Sequence, residues 1–303
     1  MNIESWPMGK VGIVAIVGRP NVGKSTFLNK ALGYHLAAVS SKPQTTRQHW
    51  RGILSDGESQ IVFVDTPGVH LGKTKLNDEM LHAVQRSLAD ADLILCICDP
   101  SRIPGDEDRL VAERVAEFAT RLILVLNKSD VASAEEKATS LAFYRRIVGD
   151  CDQSEMSALK GKGTEELLAC VRARLPRGPF FYPEDQLTDA IERDIASELI
   201  REAALHHVRE EVPHCLAVAI DQWQQSDKKL KLTATVFVET ESQKGIVLGS
   251  KGSLIKTIRS DAVRRLREII DLRIDLRLYV KVARDWRNRP AFLRELGLAP
   301  ERS

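Results

Sequence analysis

Four short apolar runs in the first half of the chain, at 11–17, 59–64, 92–98 and 121–126, show little alternation of apolar with polar positions. A strand that is apolar on both faces has to be buried on both, as it is inside a mostly parallel sheet covered by helices. Between and after these runs, apolar residues three and four apart mark helices at 24–32, 74–89, 107–119, 134–148 and 163–175. The alternation predicts a doubly wound, mostly parallel α/β domain whose ligands meet the carboxyl ends of the strands.

That rhythm stops at Pro176. Residues 176–185, Pro-Arg-Gly-Pro-Phe-Phe-Tyr-Pro-Glu-Asp, have the composition of a linker, with three aromatics to pin it to a neighbouring surface. Beyond it the pattern predicts a helix at 187–208, alternating strands at 214–223 and 229–240, a short helix at 242–248, a longer one at 253–270 and a strand at 273–282. The second half therefore reads α–β–β–α–α–β, a smaller α+β domain. The expected division is a first domain over 1–176, a linker over 177–188 and a second domain over 189–303.

Composition contributes mainly exclusions. Of 303 residues, 43% are hydrophobic and 28% charged, which excludes a disordered or fibrous chain, and the length favours two domains. The formal net charge of +2 conceals a segregation. From Lys244 to Arg294 there are 14 Lys/Arg against 5 Asp/Glu, whereas residues 1–243 carry 29 against 35. A basic end on a near-neutral protein points to a polyanion site there. No run approaches the ~20 apolar residues of a membrane helix, and no secretory signal is evident. The five scattered cysteines read as core thiols in a reducing cytoplasm. Cys96 and Cys98 lie in Leu-Ile-Leu-Cys-Ile-Cys, a buried-strand pattern with no second ligand pair at zinc spacing.

Candidate chemistry begins at Gly18-Arg19-Pro20-Asn21-Val22-Gly23-Lys24-Ser25, followed by Thr26, which fits G-x-x-x-x-G-K-[ST] between a predicted strand and helix. Loop N–H groups in such a setting cradle phosphates; Lys24 would reach the β- and γ-phosphates, and the Ser25 hydroxyl would ligate Mg²⁺. Asp65-Thr66-Pro67-Gly68 ends the second strand, 41 residues after Lys24. Its carboxylate can hold Mg²⁺ through water, and the Gly68 N–H can sense a γ-phosphate. Asn127-Lys128-Ser129-Asp130 follows the strand at 121–126. Asp130 can accept from guanine N1–H and the exocyclic amine, Asn127 can bridge base and loop, and the Lys128 stem can cover the ring. Ser157-Ala158-Leu159, 30 residues beyond Asn127, can offer the Ala158 N–H to guanine O6. Taken singly, these segments would read as a glycine-rich turn, a loop, a helix N-cap and an exposed tripeptide.

In this order and spacing they resemble the G1, G3, G4 and G5 motifs of translation-factor-type GTPases. With the linker Pro-Phe-Phe-Tyr-Pro-Glu-Asp-Gln-Leu-Thr-Asp and the second domain, nearly all of 10–295 resembles the Era family of bacterial ribosome-assembly GTPases. The resemblance implies a P-loop GTPase domain followed by a smaller type II KH domain, with GTP/GDP and Mg²⁺ as ligands. The G2 candidate is Pro43-Gln44-Thr45-Thr46-Arg47, and related bacterial GTPases place the switch ligand directly before the arginine, at Thr46. Lys24, Thr46 and Gly68 would then be catalytic, and Ser25, Thr46 and Asp65 would serve Mg²⁺. Asn21 resembles the asparagine that helps hold K⁺ in potassium-dependent relatives. Val69 stands where Ras-like switches carry a water-orienting glutamine; valine cannot polarise water, so slow intrinsic turnover is expected. By the same resemblance the chain would be a monomer that binds 16S ribosomal RNA and acts in 30S subunit assembly, cytoplasmic with peripheral contact at the inner membrane.

The basic end supports an RNA site on its own residues. Gly249-Ser250-Lys251-Gly252 joins two predicted helices, and paired glycines let backbone approach phosphates as in a KH loop. Ile246, Val247 and Leu248 could floor unstacked bases, while Lys244, Lys256 and Arg259 line the groove. About half of the basic residues, including those on Arg264–Arg267 and the last strand, read better as a solvated face, and Trp223 and Trp286 as packing residues. Competing readings are an RNA-binding factor with negligible hydrolysis and a membrane-recruited switch. A P-loop ATPase is disfavoured by Asn-Lys-Ser-Asp.

Overall fold

A computed structural model describes residues 6–39, 50–69 and 73–300. The switch candidate at 43–47, with Thr45 and Thr46, lies outside these residues. Residues up to Asp189 form one compact unit and those from Ala190 a second, with 38–39 and Lys73–Glu79 grouping with the second.

The first half runs β1 (Met8–Val17), α1 (Lys24–Leu32), β2 (Trp50–Ser55), β3 (Ser59–Asp65), α2 (Lys75–Asp90), β4 (Leu93–Cys98), α3 (Asp106–Val115), β5 (Leu122–Leu126), α4 (Ala134–Val148), β6 (Asp152–Glu155), α5 (Thr164–Arg174) and β7 (Arg177–Pro179). Among the described residues these strands form one sheet in the order β2-β3-β1-β4-β5-β6, with β7 on β1. The β3, β1, β4, β5 and β6 ladders are parallel; β2 and β7 pair antiparallel. Every residue of β3, β4 and β5 is buried, as strands covered on both faces must be. Phe27 of α1 meets Phe63 of β3 edge-on at 5.7 Å on one side. Cys96, Cys98, Leu124, Val111 and Tyr144 pack together in a core cluster. Burial pushes both β4 thiols up, Cys98 to about 12, so they behave as core groups.

The departures from expectation lie at edges. β2, β6 and β7 lack a long apolar pattern of their own; neighbouring backbone recruits them, and pairing with β7 extends β1 back to Met8. The expected helix at 107–119 ends at Val115 and continues as a 3₁₀ segment, Ala116–Arg121. The expected helix at 187–208 begins only at Glu192, as α6 (Glu192–His207). Leu187 accepts from the Ile53 N–H at 2.8 Å and the Thr188 hydroxyl donates to the Arg51 carbonyl at 2.7 Å. These two residues thus satisfy backbone groups of strand β2, which outweighs helical periodicity there. Buried Gln60 of β3 fixes the preceding segment: its Oε1 accepts from the Phe181 and Tyr182 N–H groups at 2.7 and 2.9 Å, and its Nε2 donates to the Tyr182 carbonyl at 2.8 Å. Of the three aromatics, Phe180 is buried and Phe181 exposed.

The second half continues with α7 (Val212–Cys215), β8 (Ala217–Ser226), β9 (Lys229–Val238), α8 (Glu241–Leu248), α9 (Ser253–Leu266), β10 (Arg273–Val282) and α10 (Pro290–Glu295). The strand expected from His214 starts at Ala217, because Pro213 opens a single helical turn. Among the described residues the sheet order is β10-β9-β8, with β10 parallel and β8 antiparallel to β9. Arg265 of α9 is buried against Glu202 of α6 at 2.7 Å, and Arg264 bonds Asp261 and Glu268, so this basic turn holds the helices rather than a ligand. Trp286 is fully buried and donates to the Cys215 carbonyl at 2.7 Å, a packing role.

Candidate functional site

The loops that follow β1, β3, β4, β5 and β6 all leave the carboxyl ends of parallel strands, where an α/β sheet offers its ligand crevice. Gly18-Arg-Pro-Asn-Val-Gly23 connects β1 to α1 and leads into the helix N-terminus with no side-chain cap, leaving N–H groups for an anion. Glycine is required at position 23: its φ is +99°, and a Cβ there would lie 2.3 Å from Asn127 Nδ2. Asn21 is exposed with φ +63°.

Lys24 is buried, and its Nζ donates to the Gly18 and Arg19 carbonyls at 3.0 Å each. Burial lowers its pKa to about 8, although Asp65 pulls it upward. An ammonium held against its own solvation cost is suited to a polyphosphate. The Ser25 hydroxyl donates to Asp65 Oδ2 at 2.9 Å, so two of the three expected Mg²⁺ groups share one place. This is a hard-oxygen pair of the kind Mg²⁺ takes. Thr66 fixes the strand end, its N–H and hydroxyl both reaching the Ile16 carbonyl, at 3.3 and 2.7 Å. A Cβ at Gly68 would lie 2.9 Å from Pro20 Cα, so the Asp65–Gly68 loop crosses directly over the phosphate loop. The Val69 N–H donates to the Gly18 carbonyl at 3.3 Å, and its side chain is buried in the core cluster.

On the base side, Asn127 is buried and bridges two loops. Its Nδ2 donates to the Val22 carbonyl at 2.7 Å and its Oδ1 accepts the Ala158 N–H at 2.9 Å. The Ala158 N–H expected to face guanine O6 donates here to Asn127, whose buried amide has both ends satisfied. Leu159 is largely exposed. Ser129 N–H donates to the Met156 carbonyl at 3.1 Å, which holds the two loops together. Asp130 is exposed, and the Ser157 hydroxyl keeps its carboxyl below the usual value.

Periodicity and motif spacing missed three residues of this site. Asp99, just past β4, accepts Lys128 Nζ at 2.6 Å and lies 3.6 Å from the Arg19 guanidinium. Arg19 Nε donates to Asp108 at 3.1 Å, and that carboxylate also accepts the Tyr144 hydroxyl at 2.8 Å. A charge chain, buried up to Asp99, therefore links the phosphate loop to the half-exposed lysine of Asn-Lys-Ser-Asp. The signal that could have exposed it was positional: a carboxylate at the carboxyl end of a central parallel strand.

In the second unit, Gly249 and Gly252 have φ of +69° and +75°, and Lys251 between them φ +51°. A Cβ at Gly249 would lie 2.7 Å from Leu254 Cβ. The tight turn projects Ser250 and Lys251 into solvent just before the uncapped N-terminus of α9. Lys256 and Arg259 are exposed on α9, while Lys244 lies 3.5 Å from Glu241. Ile246 is exposed and Leu248 half-buried. Val247 is fully buried and belongs to the core, a correction to its expected place on the groove floor.

A family model described as a 50S ribosome-binding GTPase matches residues 13–128, and a KH domain model matches 211–287. GTPase Era of Heliobacterium modesticaldum is 39% identical over 287 residues, covering 94% of this chain and 96% of the relative. An Aquifex aeolicus Era variant bound to GDP·AlF₄⁻ superposes with a TM-score of 0.90 at 35% identity, over 96% of this chain and all of the other. Era in complex with MgGDPNP and nucleotides 1506–1542 of 16S ribosomal RNA superposes with a TM-score of 0.91 at 35% identity and the same coverage. A P-loop GTPase fold, a C-terminal KH domain and likeness along nearly the whole chain converge: the chain belongs to the Era family of GTPases.

Proposed function

We propose that this chain hydrolyses GTP as a switch on RNA binding, gripping 16S ribosomal RNA through its KH domain during 30S subunit assembly. The single observation that carries the nucleotide half is the Asn127 bridge, which joins the phosphate loop to both base-side loops. The likeness to Era bound to 16S ribosomal RNA favours the small subunit over the 50S wording of the broader family.

In this reading Gly18–Gly23 N–H groups and Lys24 hold the phosphates, and Ser25, Asp65 and Thr46 serve Mg²⁺. That ion, when bound, offsets charge on the phosphate oxygens. Asp130 and Lys128 select and cover guanine. Val69 is turned into the core, so water is positioned by backbone or by Thr46, and turnover alone is slow. K⁺ held at Asn21 would add positive charge beside the phosphates; equal turnover in K⁺ and Na⁺ buffers would remove it. The GTPase domain is taken as 1–176, the linker as 177–188 and the RNA-binding domain as 189–303. The protein acts in the cytoplasm as a monomer, and any inner-membrane contact is peripheral. Among the described residues no helix is long and apolar enough to cross a membrane.

Lys251, with Ser250, Lys256 and Arg259, meets RNA phosphates, and Ile246 and Leu248 meet bases. Lys251→Ala should lower the salt slope of RNA binding by ~0.7, the value for one single-strand phosphate. An unchanged slope would take the loop out of the interface. GTP, but not ATP, should displace fluorescent GDP; equal competition would sink the guanine reading.

A further inference from the structure

The second unit's sheet carries chemistry on the face opposite the one that packs on α6, α8 and α9. Along β9 and β10, Leu230, Leu232 and Leu276 are buried, so the intervening positions share the opposite face. On that face Arg273, Arg277 and Lys281 follow one another at every fourth residue of β10, about 13 Å apart, and all three are exposed. Lys231 of β9 is exposed beside them. The carboxylates of the three strands are already engaged: Asp275 of β10 with Lys229 at 2.8 Å, and Asp221 of β8 with the Thr235 hydroxyl at 2.8 Å.

β10 is an edge strand, and charge alone could be explained as protection against pairing with another chain. Tyr279 does not fit that explanation. It is 51% exposed on the same face, two residues from Arg277 on one side and two from Lys281 on the other. An open aromatic ring between two cations is the arrangement that takes a stacked base with its flanking phosphates. The face ends where Phe292 of α10 meets Phe237 edge-on at 5.0 Å.

We propose that this sheet face is a second RNA-binding surface, separate from the Gly249–Gly252 loop. Unpaired RNA would stack one base on Tyr279 and lay phosphates along Arg273, Arg277 and Lys281. The inference rests on the RNA-binding reading above and extends it to a longer footprint on the same partner. Charge complementarity selects RNA as the occupant, since the cations outnumber the carboxylates and those carboxylates are paired.

The test uses the full chain and fluorescently labelled RNA of nucleotides 1506–1542. Zero-length ultraviolet crosslinking of the unmodified protein should place one adduct on Tyr279 in addition to any at the glycine loop. Tyr279→Ala should weaken binding by roughly five- to a hundredfold, and Tyr279→Trp should retain it. Arg277→Glu with Lys281→Glu should lower the salt slope by at least ~1.4, on top of the change caused by Lys251→Ala. GTP turnover and melting temperature serve as folding controls. If the sheet variants bind normally and no Tyr279 adduct forms while Lys251→Ala weakens binding, the second surface is wrong and the loop reading stands. If Lys251→Ala also binds normally, both readings fall.

Discussion

Asn127 donates its side-chain amide to the Val22 carbonyl at 2.7 Å, tying the guanine-side loop to the phosphate loop. The same amide accepts the Ala158 N–H, so one buried residue sets the spacing of three loops. Asn127→Asp cannot donate to Val22 and sets a carboxylate against its carbonyl. Leaving such a buried group unsatisfied costs about 1–3 kcal/mol. The expected result is GDP release faster by roughly ten- to a hundredfold in stopped-flow fluorescence. Unchanged release would mean that the bridge does not hold the site.

Asp99 should act through Lys128. Its carboxylate is buried, whereas the Lys128 side chain is 38% exposed, so solvent screening limits the pair to about 1 kcal/mol. Asp99→Asn should speed GDP release about fivefold. In a Lys128→Ala background the same substitution should add little, because its target is gone. Full additivity of the two changes would show that Asp99 does not act through Lys128.

The Lys24 pKa of about 8 gives a pH dependence with a definite sign. Burial penalises the charged form, so folding is penalised fully below pH 8 and progressively less as pH rises toward the ordinary 10.5. Phosphate binding needs the ammonium, so above pH 8 nucleotide binding must take up a proton. Between about pH 7.3 and 8.7 GDP affinity should fall roughly fivefold, in a range where guanine itself keeps its N1 proton. Lys24→Met should bind weakly with a flat profile. Equal pH dependence in both proteins would assign the titration elsewhere.

Val69→Gln should not restore Ras-like hydrolysis. Val69 is only 1% exposed and packs in the sheet core, so a glutamine amide there would be buried unsatisfied. The expected loss of stability is about 1–3 kcal/mol, seen as a lower urea midpoint with no faster single-turnover hydrolysis. Accelerated hydrolysis would show that this position reaches the attacking water.

Much of this arrangement was legible in the chain because fully buried strands announce themselves. β3, β4 and β5 are apolar on both faces, and the phosphate, Mg²⁺ and guanine motifs sit directly at strand ends. What escaped was structure fixed by partners rather than by pattern. β2 and β6 are edge strands defined by their neighbours' hydrogen bonds. Leu187 and Thr188 look helical but pair with β2. Val247 is the middle residue of the apolar run before the glycine loop, and only packing shows that it faces inward. Asp99 and Asp108 belong to no motif, and their roles emerge from the Arg19 guanidinium that they share.

Control of RNA binding by the nucleotide state is the step on which the proposed function turns. Its most direct test is the affinity of the full chain for nucleotides 1506–1542 of 16S ribosomal RNA, measured with a non-hydrolysable GTP analogue and with GDP at one fixed salt concentration. Binding should be tighter in the GTP-analogue state by at least tenfold, ~1.4 kcal/mol of coupling, and weakened in Lys251→Ala. Equal affinity in the two nucleotide states would contradict it.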